Sequence, residues 1–451
     1  MFVKRTAELN QLAKQYETPG SNLVILYGRK GVGKTTLLRG FMKGKPACYY
    51  LGVECDDRMQ IDHMNNQWNT PKEQDSAAIS YQQLIRTLIK GQSQKTVIVL
   101  DEFHLIVKNG PGLLEVLPLI AKSSTPFMFV LCSSSIRFVE NEMVGWMGEL
   151  AANITSYLKL KEFSFVDFVN RFPKSSVETC IYVNALLGGV PDYLTRWREE
   201  QSVRNNIISV FMNKDSRLFH EPQYFLKQDL REPAVYNTIL SSLAEGNRKL
   251  NDLHRHTGYS RAKIIVYIKN LMELDVVEKL VPLGDEGKEN AKKGLYRIKD
   301  HFLHFWYRFV FPNISELQLG EAVKVYEEKV EPFMNNYMGE YFAEVCMEYL
   351  KLMNLHQRLP VVYQWWDRWY GKNGTIDIIA RGQNDESLAG ICIWEDRNCK
   401  VSDYDNLLEL SREAGINPES IYLFSRNGFT KEIINLAKDM AEIHLVGLDD
   451  L

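Results

Sequence analysis

The run Gly28-Arg29-Lys30-Gly31-Val32-Gly33-Lys34-Thr35 narrows what this chain can fold into more than any other stretch. It satisfies G-x-x-x-x-G-K-[ST], a loop that cradles phosphate between a strand and a helix. The flanks agree. Asn22-Leu23-Val24-Ile25-Leu26-Tyr27 reads as a buried strand, and Thr36–Met42 as the start of a helix whose positive end faces the loop. Glycines allow positive φ and bring backbone N–H groups close to phosphate oxygens. Lys34 suits the β- and γ-phosphates, and the Thr35 hydroxyl suits Mg²⁺. The candidate cradle is therefore Gly28, Arg29, Lys30, Gly31, Val32, Gly33, Lys34, Thr35 and Thr36.

Hydrolysis needs more than a cradle. Thr96-Val97-Ile98-Val99-Leu100 reads as a second buried strand, tipped by Asp101 and Glu102. Asp101 is the candidate for holding the hydrated metal, and Glu102 for orienting or deprotonating the attacking water. A third apolar strand, Phe127–Cys132, runs into Ser133-Ser134-Ser135, which makes Ser134 a candidate contact to the γ-phosphate or the water. Arg137 could steady developing charge, although a surface arginine is the plainer reading. His104 could sense the nucleotide, and a packed histidine is again the plainer reading.

Composition excludes little and sets the scale. The chain has 451 residues, enough for two to four domains, with 45% hydrophobic and 25% charged residues. A net charge of -3 gives no global pull toward nucleic acid or membrane. The seven cysteines form no C-x-x-C, so reduced thiols are expected rather than a disulfide frame or a zinc knuckle. No apolar run reaches membrane-spanning length, and the N-terminus lacks a signal-peptide core. A cytoplasmic protein without membrane contact is expected.

Beyond the strands at Leu23–Tyr27, Ala47–Leu51, Thr96–Leu100 and Phe127–Cys132, the pattern becomes helical over 160–220, interrupted at Gly188-Gly189-Val190-Pro191. Around 250–271 two short apolar-periodic segments flank Gly258, a helix-turn-helix pattern. Val276–Leu283 and Gly294–Ile298 read as wing strands, with polar 284–293 as the hairpin tip. Aromatics at 302–309 read as core between domains. A last α/β unit carries a helix at Met338–Met353, strands at Thr375–Ala380, Gly390–Trp394 and Ser420–Phe424, a helix at Lys431–Met440 and a short strand at His444–Val446. The expected domains are a P-loop core (1–158), a helical lid (159–225), a winged helix-turn-helix (226–300), an aromatic connector (301–330) and a C-terminal α/β domain (331–451).

In this order the motifs resemble the prokaryotic archaeal-type ATPase family, an AAA+-related, STAND-like branch of P-loop ATPases. Phe2, Arg5, Glu8 and Leu9 match its opening F-x-x-R-x-x-E-L, and Gly188–Leu194 is similar to its lid motif G-G-x-P-x-Y-L. Arg231–Tyr236 and Gly294–Asp300 with Phe305–Phe309 resemble the segments that bracket its winged helix. The resemblance implies ATP with Mg²⁺ as the nucleotide ligand. It also implies a C-terminal domain similar to PD-(D/E)XK nucleases, a restriction-endonuclease-like α/β fold. There Gly339–Glu344, Trp365–Arg368 and Ile376–Ala380 match, with Asp377 as the strand-end acid. However, Ile391 and Ile393 stand where the nuclease pattern has its acid and lysine, and Ala343 stands where a glutamate is usual. Glu395 and Arg397 could replace them only from two residues further along a strand, about 6–7 Å away. Gly148–Asn153 lacks the arginine that relatives carry there, so unaided hydrolysis is expected to be slow.

Together these readings predict an ATP-binding, Mg²⁺-dependent ATPase that switches conformation and is coupled to a winged helix and an inactive nuclease-like domain. The alternatives are an ATP-regulated DNA-binding protein, contacting DNA through residues 250–271, and, more remotely, a metal-dependent nuclease. A protein partner is expected, of unspecified identity.

Overall fold

The computed structural model describes residues 5–68, 80–90, 92–108, 110–123, 125–280 and 294–451. Phe2, residues 281–283 of the expected first wing strand and the whole of its expected tip (284–293) lie outside the described residues. The chain divides into two compact units: residues 1–162 with 190–192, and residues 163–189 with 193–451.

The first unit is a five-stranded parallel sheet: β1 (Asn22–Tyr27), β2 (Ala47–Leu51), β3 (Thr96–Asp101), β4 (Phe127–Ser133) and β5 (Ile154–Lys159). The spatial order is β2-β3-β4-β1-β5. β1, β3 and β4 are buried along almost their whole length, which explains their unbroken apolar runs. Their side chains alternate between two cores. Val24, Leu26, Val97, Val99, Met128 and Val130 pack with the helices Thr6–Glu17 and Lys34–Met42. Leu23, Ile25, Ile98, Leu100, Phe129 and Leu131 pack on the opposite face. All strands point the same way, so the loop after β1 and the acids ending β3 share one edge. Strand order also reverses around β1, where open α/β sheets bind ligands. β5 was not expected. It lies at the edge, alternates more and less exposed residues, and has no apolar run.

The second unit opens with helices, among them Val177–Leu187 and Arg217–Asp229. The helix-turn-helix follows as Leu250–Thr257 and Arg261–Glu273. Gly258 ends the first helix at φ 72°, and the Ser260 side chain caps the second by accepting from the Lys263 N–H. Leu253, Ile264, Ile268 and Leu271 are buried, as the apolar spacing predicts. β6 (Val277–Leu280) and β7 (Leu295–Ile298) pair antiparallel as the wing. Phe302, Phe305, Trp306, Tyr307 and Phe309 are core residues.

A 22-residue helix, Met334–Leu355, leads to a mixed sheet of order β12-β11-β10-β9-β8. Its strands are β8 (Trp365–Tyr370), β9 (Thr375–Arg381), β10 (Ser387–Ile393), β11 (Ser420–Ser425) and β12 (Ile443–Gly447). β8 to β10 pair antiparallel, and β10 to β12 parallel. The replacement of Ile391 and Ile393 by Glu395 and Arg397, set aside above on distance, has no strand to rest on. β10 ends at Ile393, so Glu395 and Arg397 are not on the strand. Arg397 turns back to Glu395 and to Asp403 (2.5 and 2.7 Å).

Candidate nucleotide site

The loop after β1 is shaped by close backbone packing. Leu160 N–H donates to Tyr27 O (2.7 Å), which brings the chain after β5 against Gly28. A Cβ on Gly28, at φ +154°, would lie 2.3 Å from the Leu160 carbonyl oxygen. Gly33, at φ +95°, has nothing within 4 Å of its Cβ position. The two glycines are therefore required for different reasons. Gly28→Ala is expected to destabilise the protein by about 3 kcal/mol or more, because a backbone atom must move. Gly33→Ala should cost only the left-handed strain, about 1 kcal/mol. Thermal denaturation of the two variants checks the order.

Lys34 is 5% exposed, and its Nζ donates to the Gly28 and Arg29 carbonyls (2.7 and 3.0 Å). Arg5 holds the loop from behind, donating to the Val32 and Lys161 carbonyls (3.2 and 2.8 Å). A segment distant in sequence sits on its other side. Asp192 N–H donates to Gly31 O (3.3 Å), and a Cβ on Gly31 would meet Val190 Cγ1 at 3.0 Å.

Thr35 Oγ1 donates to Asp101 Oδ2 (2.9 Å), and the Tyr49 hydroxyl donates to the same oxygen (2.8 Å). Burial and then the Asp101 carboxylate push the Tyr49 hydroxyl well above its usual pKa, so it stays a donor. An open loop of backbone N–H groups, a lysine, and a hydroxyl beside a carboxylate make a donor set that fits a polyphosphate and its Mg²⁺.

Glu102 takes the left-handed conformation, φ 52°. Its Oε2 accepts from the Ser134 N–H and hydroxyl (2.9 and 2.7 Å), with His104 Nδ1 at 3.3 Å. Ser133 Oγ lies 3.0 Å from that nitrogen. Burial depresses the His104 pKa despite the nearby Glu102 carboxylate, so the ring is neutral at neutral pH. Thus Lys34, Thr35, Asp101, Glu102 and Ser134 converge on one sheet edge. Arg137 pairs instead with Glu142 (3.2 Å) and is half exposed.

The C-terminal acids have other partners. Arg297, on β7, contacts Glu278, Glu340 and Glu344 (2.5, 3.2 and 2.6 Å). Arg248 contacts Glu340 (2.5 Å), and His301 contacts Glu344 (3.1 Å). Burial alone would raise the Glu340 pKa, but Arg248 and Arg297 outweigh it and bring it to about 2. Asp377 is different. Burial pushes it up to about 6 against a hydrogen bond from the Cys392 N–H (2.8 Å) and the Arg368 charge. Among the described residues, no group of three His, Cys, Asp or Glu side chains is placed to hold a metal ion.

Asp377 therefore carries a folding penalty with a defined pH window. Below pH about 4 it is protonated in both folded and unfolded chains and costs nothing. Between about pH 4 and 6 the unfolded carboxyl ionises while the folded one keeps its proton, so the penalty builds across that window and is complete above it. Asp377→Asn is expected to raise stability near neutral pH by up to about 3 kcal/mol, with the gain vanishing in acid. Melting temperatures of both proteins across pH check this.

The pattern of an ATPase domain predominantly from Archaea matches residues 2–197. Residues 2–197 form an archaeal-type ATPase domain. A bacterial regulatory protein pattern of the arsR family matches residues 237–279, and a pattern of archaeal and bacterial proteins of unknown function matches 306–404. An uncharacterised protein of Methanocaldococcus jannaschii is 27% identical over 430 residues, 94% of each chain. An uncharacterised ATP-binding protein of the same organism is 47% identical over 45 residues, 10% of this chain and 76% of that one. Among solved structures, a Walker-type ATPase of Pyrococcus abyssi has a TM-score of 0.50 at 15% identity. It covers 68% of this chain and 96% of its own, a likeness of fold. No described helix is long and apolar enough to cross a membrane.

The archaeal-type ATPase domain also carries contacts that sequence reasoning missed. Tyr49 gave no signal, because a tyrosine in a short edge strand looks like packing. Arg5 and Val190–Asp192 were visible only as pieces of a family pattern, with no stated role at the loop.

Proposed function

We propose that the chain binds ATP with Mg²⁺ at residues 28–36 and acts as a nucleotide-driven conformational switch with slow intrinsic hydrolysis. In this reading Lys34 holds the β- and γ-phosphates. Thr35 and Asp101 hold Mg²⁺, which neutralises phosphate charge. Glu102 orients the attacking water, and Ser134 positions Glu102. The turn at 148–153 contains no arginine to stabilise developing charge, which is why turnover is expected to be slow.

One observation carries the switch reading. Val190–Asp192 belongs to the first unit and rests on Gly31, while the chain on both sides of it belongs to the second unit. Any change in the loop on nucleotide binding is transmitted along the backbone in both directions. Hydrogen exchange on the full chain, with and without ATP·Mg²⁺ and ADP, tests it. Protection is expected at 28–36 and at 188–194. Protection at the loop alone would leave a nucleotide binder that does not switch.

The C-terminal domain reads as a degenerate PD-(D/E)XK fold with a structural or binding role. Arg248 and Arg297 already neutralise its helix acids, and Ile391 and Ile393 offer no ligand or proton donor. A second reading, ATP-regulated DNA binding, is supported by the helix-turn-helix, whose second helix exposes cations and no acid on its outer face.

A further inference from the structure

We propose that the outer face of the helix Arg261–Glu273 reads thymine methyl groups in the major groove of duplex DNA; this rests on the DNA-binding reading above. The exposed residues of this helix are Arg261, Ala262, Ile265, Val266, Lys269 and Met272. Its buried face is spent on the domain core through Ile264, Ile268 and Leu271. Ile265 and Val266 are neighbours on that face, 47% and 56% exposed.

Charge points to the kind of partner. Arg261 and Lys269 bracket the aliphatic patch, and no carboxylate is exposed on this helix. On the preceding helix Asp252 is paired with Arg255 (3.1 Å), and nearby Glu245 with His256 (3.1 Å). A polyanion meets cations at both ends of the patch; the exposed Glu232 carboxylate accepts from the Tyr267 hydroxyl of the helix Arg261–Glu273.

Chemistry then selects what is read. Bases are distinguished by hydrogen bonds from Arg, Lys, Asn, Gln or carboxylates, or by apolar contact with the thymine methyl. The amide of Asn270 is engaged with the Tyr236 hydroxyl (2.8 Å). Arg261 Nε donates to Asn251 (2.7 Å), which occupies that asparagine too. Lys263 lies over the Tyr259 and Tyr267 rings. At the centre of the face this leaves Ala262, Ile265 and Val266, which match a methyl group and nothing polar.

The test compares four short duplexes: alternating A·T, the same with deoxyuridine for thymidine, alternating G·C, and the last with 5-methylcytosine. Full-length protein should bind the thymidine duplex more tightly than the deoxyuridine duplex, by about fourfold for each methyl covered. The 5-methylcytosine duplex should regain part of the difference over unmethylated G·C. Ile265→Ser with Val266→Ser, both at the surface, should keep the melting temperature and erase the thymidine–deoxyuridine difference. Lys269→Ala should weaken all four duplexes alike and reduce the salt slope by about one. Equal affinity for the thymidine and deoxyuridine duplexes would overturn the methyl readout while leaving DNA binding intact. No affinity for any duplex at low salt would remove the DNA reading itself, and the face would then be a protein-docking surface.

Discussion

Lys34→Ala is expected to lose tight ATP binding, by roughly a hundredfold to a thousandfold, the scale for truncating one member of a buried charge pair. The structure explains why the loss falls on the ligand more than on the fold. Lys34 Nζ is held by the Gly28 and Arg29 carbonyls, at the start of the same loop. Each is a bond from a charged donor to a neutral carbonyl, about 1.5–3 kcal/mol and partly replaceable by water. No other side chain in the cradle can carry a positive charge to the phosphates from so buried a position, since Lys34 is 5% exposed. Binding of a fluorescent ATP analogue and thermal melting, measured together, separate the two effects. A variant that melts like wild type and binds ATP as well would remove the assignment of the phosphate site. A variant that simply unfolds is resolved by Lys34→Met, which keeps the aliphatic stem and deletes only the charge.

How much of this could be read in the chain depended on whether the relevant chemistry was local. β1, the loop and its helix are contiguous, and each element has its own signature: an unbroken apolar run, spaced glycines and a lysine–threonine pair. The same holds for β3 and its acid tip, and for the helix-turn-helix, where Gly258 and Ser260 mark the turn. Legibility ended where the fold joins distant residues. Val190 rests on Gly31 across more than a hundred positions, and nothing in either sequence neighbourhood names the other. Arg297 and Glu344 are 47 residues apart, and only the tertiary packing makes them an ion pair. The placement of Glu395 and Arg397 was not legible for a related reason. A strand's period of two says where side chains point only as long as the strand continues, and β10 stops at Ile393. That Ile391 and Ile393 can neither bind a metal nor move a proton was, in contrast, legible, because residue type alone decides it.

Glu102→Gln is expected to bind ATP within about threefold of wild type and to hydrolyse it roughly a hundredfold to ten-thousandfold more slowly, the range for removing a positioned acid–base group. Three features make this substitution informative. Glu102 is held at φ 52°, a conformation that costs about 1 kcal/mol or more for a residue with a side chain. The fold sustains that strain where the chain turns from β3 into the next helix, with the Glu102 N–H bonded to Asp101 Oδ1 (3.0 Å). Its Oε2 is then pinned by two donors from Ser134, so the carboxylate has a fixed orientation and a second oxygen still to offer. Glutamine keeps the shape and the Ser134 bonds, because its amide oxygen accepts both. It loses the negative charge and the second acceptor, the two properties that an attacking water needs from this position. Loss of the carboxylate from beside bound polyphosphate also removes like-charge repulsion, so binding should hold or tighten. Ser134→Ala separates positioning from chemistry. It should leave Glu102 charged but loosely held, with a smaller drop in turnover and unchanged ATP affinity. Turnover by Glu102→Gln at the wild-type rate would mean that the strained, pinned carboxylate serves the fold alone and that the water is oriented from elsewhere on the sheet edge.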